Sequence, residues 1–442
     1  MYLRKNSFCA ALSGLTLSLI LILTHLNIHS YTVHHTENCE AENDNEPEIT
    51  VAEPGENTHK ILSGAIDYIT SFGADLFTYK FDLLANSVVE QRPCELHVSK
   101  ARKSDSRLAP ALYVFGDSLS DSGNNNFLQT EAKVNFEPYG VDFPSGATGR
   151  FTNGKTFVDF LAELLGLPFA PPYLGLSAND KINISTGVNY ASGSAGILQE
   201  TGTAIGENLS FEKQIQYFEE GVSNDLPKIF EASSELLKYL SKSIFVVSIG
   251  NNDYINNYLQ PSNYESSHIY TPHQFASLLV DELKRGLKKL YSLGARKFLV
   301  FNIGRIGCIP HMTNRVYMYP KIATPCVDDV NRLVLLFNSR LYYMMKELEH
   351  TLDGSTFIYG DSSNATQDSS KPGLAGPQTP CCKVDGSGLC LPYQIPCQNR
   401  KAYTFWDAVH PTEEVYDRLA ADCFSGSVTC VPINVRQLAN KR

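Results

Sequence analysis

The chain has 442 residues, room for one large domain or two ordinary ones. An apolar fraction of 43% supports a sizeable core. A formal net charge of -10 with no strongly basic block excludes a surface built for phosphate backbones, so no nucleic-acid partner is expected.

In chain order, Arg4 and Lys5 precede an apolar run from Phe8 to Leu23. A charged start followed by an apolar stretch is the layout of a secretory signal, read here as residues 1–30. The run falls short of the ~20 apolar residues that cross a bilayer, and no later segment matches it. A cleaved leader and a secreted protein are expected, with no stable membrane span; a membrane-tethered form with the leader retained is the alternative. Residues 31–107 have a different character. Glu37 to Glu56 holds eight acidic residues and no Lys or Arg, a solvated and partly disordered extension. Ile61, Ala65, Ile69, Phe72, Leu76 and Leu83 then recur at near-helical spacing, weakened by Gly64 and Gly73. The polar stretch "SKARKSDSR" links this extension to the main domain, residues 108–438.

From Ala109 apolar runs alternate with helical patterns. "ALYVF" (111–115), "SIFVVSIG" (243–250), "KFLVFNIG" (297–304) and "STFIYGD" (355–361) are rich in β-branched and aromatic residues and read as buried strands. Between them, Thr271 caps a helix with Pro272 at its first position. Phe275, Leu279, Leu283, Leu287 and Leu290 line one face of that helix, and Gly294 ends it. Val330, Leu333, Phe337, Leu341, Met344 and Leu348 form a second apolar face, and 153–166 a shorter helix. Strand and helix in alternation predict an α/β fold, a parallel sheet with helices on both faces. Ligands of such sheets bind beyond the carboxyl ends of the strands, where "GDSLSDSGNN", "GNND" and "YGDSSNAT" all fall.

Eleven cysteines are present, eight of them between Cys308 and Cys430. In an oxidising compartment such thiols pair. Cys308 and Cys326 read as a disulfide pair rather than reactive thiols, though spacing does not fix connectivity. Cys381, Cys382, Cys390 and Cys397 raise the alternative of zinc, but they lack paired C-x-x-C spacing and a nearby His, so no metal is expected. No Gly-rich phosphate loop or dinucleotide fingerprint is evident, so no organic cofactor is expected either. Asn183, Asn208 and Asn364 stand in N-x-S/T triplets open to glycosylation.

Chemistry concentrates in two phrases. In "WDAVHP" (406–411) Asp407 and His410 are three apart, a spacing that lets the carboxylate reach an imidazole nitrogen and hold one tautomer. Ser118 in "FGDSLS" supplies a hydroxyl that His410 can deprotonate. The oxyanion that develops on an attacked ester needs fixed donors. Asn252 of "GNND", the Ser118 backbone N–H and an N–H within "NYASGSAGIL" (189–198) are the candidates, with Gly193 named for the last because glycine permits close approach. Each phrase alone has a plainer reading: G-D-S as a turn with Asp117 bonding nearby amides, Asp253 and Asp361 as loop-orienting groups, Asn124, Asn125 and Asn126 as shapers of the turn behind Ser118.

Taken as a set, "FGDSLSDSGNN", "PYGVDFPSGATGRFTNGKTFVDFLAELLGLP", "GVNYASGSAGILQETG", "VVSIGNNDYINNY", "NIGRIGCIP" and "FWDAVHPTE" resemble the plant branch of the GDSL esterase/lipase family, the SGNH hydrolases, over about Leu108 to Leu438. The resemblance implies a three-layer α/β/α sandwich with a central parallel sheet. It also implies Ser118 as nucleophile, Asn252 as oxyanion donor, His410 as base and Asp407 as its partner. Many relatives carry glycine where Ser194 stands, which leaves the block's backbone donor open. The expected activity is hydrolysis of carboxylic esters of lipids, acylated carbohydrates or small molecules through an acyl-enzyme. Acyl transfer from the same site, and a secreted binding protein on a hydrolase fold, are the rival readings.

Overall fold

Four apolar runs become neighbouring parallel strands: β1 (Leu112–Gly116), β2 (Ile244–Ser248), β3 (Lys297–Phe301) and β4 (Thr356–Gly360). The computed structural model describes residues 107–177, 179–316, 326–363 and 379–441. The readings of a leader, an acidic extension and a helix over 61–83 fall outside these residues. Alternation along each strand sends side chains to opposite faces. One face carries a transverse row of rings, with Tyr113 opposite Phe245, Phe245 opposite Phe298, and Phe298 opposite Phe357. Their centroids lie 5.1, 5.9 and 4.6 Å apart. Contacts of this kind add roughly 0.5–1.5 kcal/mol each beyond burial, so the row helps set register. Val114, Val246, Leu299 and Ile358 point to the other face.

Helices cover both faces. α1 (Phe157–Leu164) packs Phe157, Val158, Leu161 and Ala162 on the valine face. α2 (Phe211–Glu220) and α3 (Ser233–Lys242) lie on the aromatic face with α4 (Pro272–Ser292) and α5 (Asp328–Thr351). α6 (Glu413–Ser425) and α7 (Val435–Asn440) join α1. The result is a three-layer α/β/α sandwich. α4 starts as its sequence requires: the Thr271 hydroxyl accepts from the Gln274 N–H, Pro272 fills the first position, and Gly294 follows the last turn at φ 111°. A fifth strand, β5 (Cys430–Val431), adds antiparallel to β4. It is too short to carry a pattern, and the Cys423–Cys430 disulfide ties it to α6.

Beside β1, on the edge away from β2, residues 186–192 add a further parallel ladder. Leu112 N–H donates to Thr186 O at 3.0 Å, Val114 N–H to Val188 O at 3.0 Å, and Tyr190 N–H to Val114 O at 2.8 Å. The chain therefore leaves β1 through α1 on one face to reach this ladder. It then crosses through α2 and α3 on the other face to β2. The direction of winding reverses around β1, and the crevice this opens at its carboxyl end is where open α/β sheets bind ligands.

The eight clustered cysteines are paired as Cys308–Cys326, Cys381–Cys397, Cys382–Cys390 and Cys423–Cys430. Of the glycosylation triplets, Asn183 ends a short 3-10 turn, while Asn208 is half-buried with its amide donating to Thr201 O at 2.9 Å. Asn364 lies outside the described residues.

Gly187 lets the added ladder lie close against β1. Its φ is +106°, and a Cβ there would stand 1.9 Å from the Leu112 carbonyl oxygen. Gly187→Ala is expected to cost roughly 3 kcal/mol from strain and overlap together, read as a lower denaturation midpoint at unchanged m-value.

Candidate active site

β1 ends on Gly116, where any side chain would collide with Ser248 O at 2.6 Å. Gln214 of α2, fully buried, closes the strand end with its side chain: it accepts from Gly116 N–H at 2.8 Å and donates to Gly116 O at 2.8 Å. The chain then turns sharply. Ser120 and Asp121 N–H groups both donate to Asp117 O, and Leu119 N–H donates to the Asp117 carboxylate at 3.0 Å. The turn reading of G-D-S thus holds for Asp117, and the turn delivers Ser118 to the rim of the sheet. Burial raises the Asp117 carboxyl to about 6, against the opposing bond from Asn251.

Ser118 Oγ lies 2.8 Å from His410 Nε2. The other ring nitrogen, Nδ1, is 2.7 Å from Asp407 Oδ2 and 3.0 Å from Oδ1. A carboxylate at Nδ1 accepts its proton and leaves Nε2 as acceptor for the serine hydroxyl. All three residues are buried. Asp407 is fully enclosed, and its charge is met by donors: Val409 N–H and His410 N–H at 2.8 and 2.7 Å on Oδ1, and the Tyr139 hydroxyl at 2.7 Å on Oδ2. Burial, with Asp407 beside it, pushes the Tyr139 phenol well above its ordinary range, so it stays protonated and donating. Tyr139 in turn accepts from Cys390 N–H at 3.0 Å. The Phe151 ring packs 4.9 Å from the imidazole.

The turn carrying Asp407 and His410 is gripped from outside. Trp406 N–H closes the turn on His410 O, and from outside Gly388 O accepts from Ala408 N–H while the Cys381 and Cys382 N–H groups donate to Trp406 O. The gripping segment, 381–397, is closed by two of the disulfides. The cysteines that raised the alternative of zinc thus hold a loop, and among the described residues no cluster of His, Cys, Asp and Glu is arranged to hold a metal ion.

Asn252 lies in a short turn, 251–253, that continues into a wider helical turn at 254–258. Its side-chain carbonyl accepts from the Asn256 amide at 2.8 Å and its amide donates once, to Ala195 O at 3.0 Å. This fixes the amide and leaves its second N–H without a partner among the described residues, on the cleft that Ser118 and His410 also line. Gly193 is not brought to that cleft. Its N–H donates to Asp121 Oδ2 at 3.2 Å. Its missing side chain makes room for Phe151 and Asn125, since a Cβ at this position would stand 2.6 Å from an atom of each.

Ser194, the next residue, lines the cleft instead, at φ 63° in the left-handed region. Its backbone N–H has no protein acceptor among the described residues. The expectation at Gly193 is corrected to this extent: the Asp121 carboxylate engages its N–H, and the residue of this loop that lines the cleft is Ser194.

Two buried carboxylates hold these loops. Asp121 accepts from the Gly123, Asn124, Asn125 and Gly193 N–H groups. Asp253 accepts from Ile197 N–H, Leu198 N–H and the Thr201 hydroxyl at 2.7, 3.0 and 2.8 Å. Asn124 and Asn125 shape the turn behind Ser118, donating to Asn189 O and Ala191 O, and to Ala132 O and Gly193 O. Sequence reasoning misses Tyr139 and Phe151, two of several aromatics in one turn-rich stretch with nothing to single them out.

A parallel sheet with its winding reversed at β1, and a hydroxyl, imidazole and carboxylate in line at that rim, define a serine-type hydrolase on an α/β/α sandwich. The comparisons with known proteins narrow this. Residues 112–423 match the family model described as GDSL-like Lipase/Acylhydrolase. GDSL esterase/lipase 7 of Arabidopsis thaliana is 45% identical over 341 residues, 75% of this chain and 92% of the relative. GDSL esterase/lipase At5g08460 and GDSL esterase/lipase At1g33811, also of Arabidopsis thaliana, are 42% and 40% identical, each over 75% of this chain and over 87% and 91% of their own lengths. The chain belongs to the GDSL lipase/acylhydrolase family, and with it to the carboxylic ester hydrolases.

The groups behind the cleft are open to test. Tyr139 lines neither cleft beside Ser118, so Tyr139→Phe removes one donor from Asp407 and is expected to lower kcat about tenfold with KM unchanged, in steady-state kinetics on a p-nitrophenyl ester. Burial raises the Asp253 carboxyl to about 7. A carboxyl raised in the folded state binds its proton more tightly there than in the unfolded chain. Its contribution to stability is complete below the unfolded value near 3.8 and is lost as pH rises to about 7. Asp253→Asn is expected to flatten that part of the Tm–pH curve, whatever its effect on Tm itself.

Proposed function

We propose that this protein hydrolyses carboxylic esters through an acyl-enzyme on Ser118. The observation that carries the reading is the 2.8 Å approach of Ser118 Oγ to His410 Nε2 with Asp407 behind the ring. His410 takes the serine proton as Oγ attacks the ester carbonyl. The carbonyl oxygen gains negative charge and is met by the Ser118 and Ser194 backbone N–H groups and the Asn252 amide. Collapse expels the alcohol, which takes its proton from His410. Water then attacks the acyl-enzyme by the same route and releases the acid. Asp407 holds the ring in one tautomer and stabilises the imidazolium formed in each half.

The same reading places the hydrolase domain at residues 108–438, after a leader of residues 1–30 and an acidic extension, in a protein that is exported. Four disulfides support the export, since thiols of a reducing compartment stay unpaired. No helix among the described residues is long and apolar enough to cross a membrane.

Release of p-nitrophenol from short acyl esters tests the assignment. Ser118→Ala is expected to lower kcat by several decades and to abolish labelling by a fluorophosphonate probe. Asn252→Ala is expected to lower kcat by ~10²–10³, or ~3 kcal/mol of barrier, while labelling survives. Full turnover in Ser118→Ala overturns the reading.

A further inference from the structure

The two most exposed large apolar side chains among the described residues stand two apart in one loop. Ile395 is 88% exposed and Tyr393 76%, with Leu391 near them at 38%. The loop, 391–396, belongs to the segment that grips the catalytic turn, and it is fixed along its length. Leu391 N–H donates to Lys383 O at 2.7 Å, Tyr393 N–H to Glu137 O at 2.7 Å, and Cys397 N–H to Cys381 O at 2.8 Å. The Cys381–Cys397 and Cys382–Cys390 disulfides close it. Tyr393 has φ 58°, a left-handed conformation that a bulky residue adopts only where its surroundings impose it. Burial of the ring does not offset that strain, because the ring is exposed. The backbone is held in this form with the ring on display.

The charges around the loop leave its tip neutral. Residues 386–399 hold no charged side chain. At the base stand Lys383, Arg400 and Lys401 against Glu137, Asp142 and Asp385. Asp142 is paired with Arg400, and the Asp385 carboxylate turns onto the Ser387, Gly388 and Leu389 N–H groups. In a chain of net charge -10 this is a balanced base under an apolar point.

Three side chains on a convex tip decide what can cover them. A stable protein partner needs roughly 800 Å² on each side, more than such a tip presents. A bilayer needs only apolar groups that reach past its headgroups, and tyrosine and aliphatic side chains are suited to that interface. A tip already ordered also enters without the loss of freedom that a mobile loop would suffer. The other arm of the same segment bears on the site: Gly386, Ser387 and Leu389 line the cleft that Ser118 and His410 also line. We propose that the 391–396 loop is a membrane-docking tip, whose Tyr393 and Ile395 enter the interface of a phospholipid bilayer and hold the cleft of Ser118 against it. The loop rests in one face of the bilayer and does not span it. The proposal goes beyond the acyl-enzyme reading and stands without it.

The test uses the full chain, phosphatidylcholine vesicles and four variants. The wild type and Ser118→Ala are expected to co-sediment with vesicles to the same extent, at low and at high salt, because the tip carries no charge. Ile395→Asp is expected to lower the partition coefficient about tenfold and Tyr393→Ser about threefold, each with kcat/KM on soluble p-nitrophenyl acetate unchanged. Trp406, the one tryptophan of the chain, is fully buried. Tyr393→Trp therefore adds a reporter at the tip. Its emission is expected to shift to the blue when vesicles are added and to be quenched by lipids brominated on their acyl chains. No shift, or equal partition of the wild type and Ile395→Asp, overturns the proposal. Binding through the apolar run at 8–23 would leave the reporter unmoved and overturns it as well. A lower sedimentation coefficient for Ile395→Asp than for the wild type without vesicles would make the tip a contact between copies of the chain, and would overturn it equally.

Discussion

The arrangement depends on one buried carboxylate. Asp407 is fully enclosed, and a charge so placed is tolerated only when its lone pairs are met. Here they are met by two backbone amides of its own turn, the Tyr139 hydroxyl and the His410 ring. The same bonds that make the charge tolerable also orient the ring toward Ser118. Satisfying the carboxylate and aiming the imidazole are therefore one structural requirement, and the disulfide-closed segment at 381–397 serves both by gripping the turn from outside.

Much of the sandwich was legible because buried parallel strands and amphipathic helices write themselves as runs and periods. The four strands fall within one residue of their apolar runs at their starts, and the helix from Pro272 begins and ends on the residues whose capping chemistry demands it. The ladder at 186–192 was not legible as a strand. Its apolar residues are few and interrupted by Gly187 and Asn189, so no run marks it. β5 has only two residues and therefore no pattern to read.

At the site, the meeting of Ser118, Asp407, His410 and Asn252 was readable because each stands in a phrase whose residue types are chemically constrained. The capture of the Gly193 N–H by Asp121 was not. Glycine at 193 signals conformational freedom, but where an N–H points is decided by neighbours, and Asp121 lies 72 residues away in sequence. Tyr139 escaped for a similar reason: nothing in "EPYG" encodes a carboxylate 268 residues further on. Residue identity reports what a group can do, while its partner is supplied by the fold.

The hydroxyl and the imidazole that meet in this rim are separated by 292 residues. During synthesis the strand that leads to Ser118 and the next three strands of the sheet are made before the ribosome reaches Asp407 and His410. Throughout that interval the nascent chain has the serine without the imidazole it meets in the folded domain. A chain that has reached Ser118 but not His410 therefore lacks the pairing, and the order of residues within the domain fixes when the two can first meet.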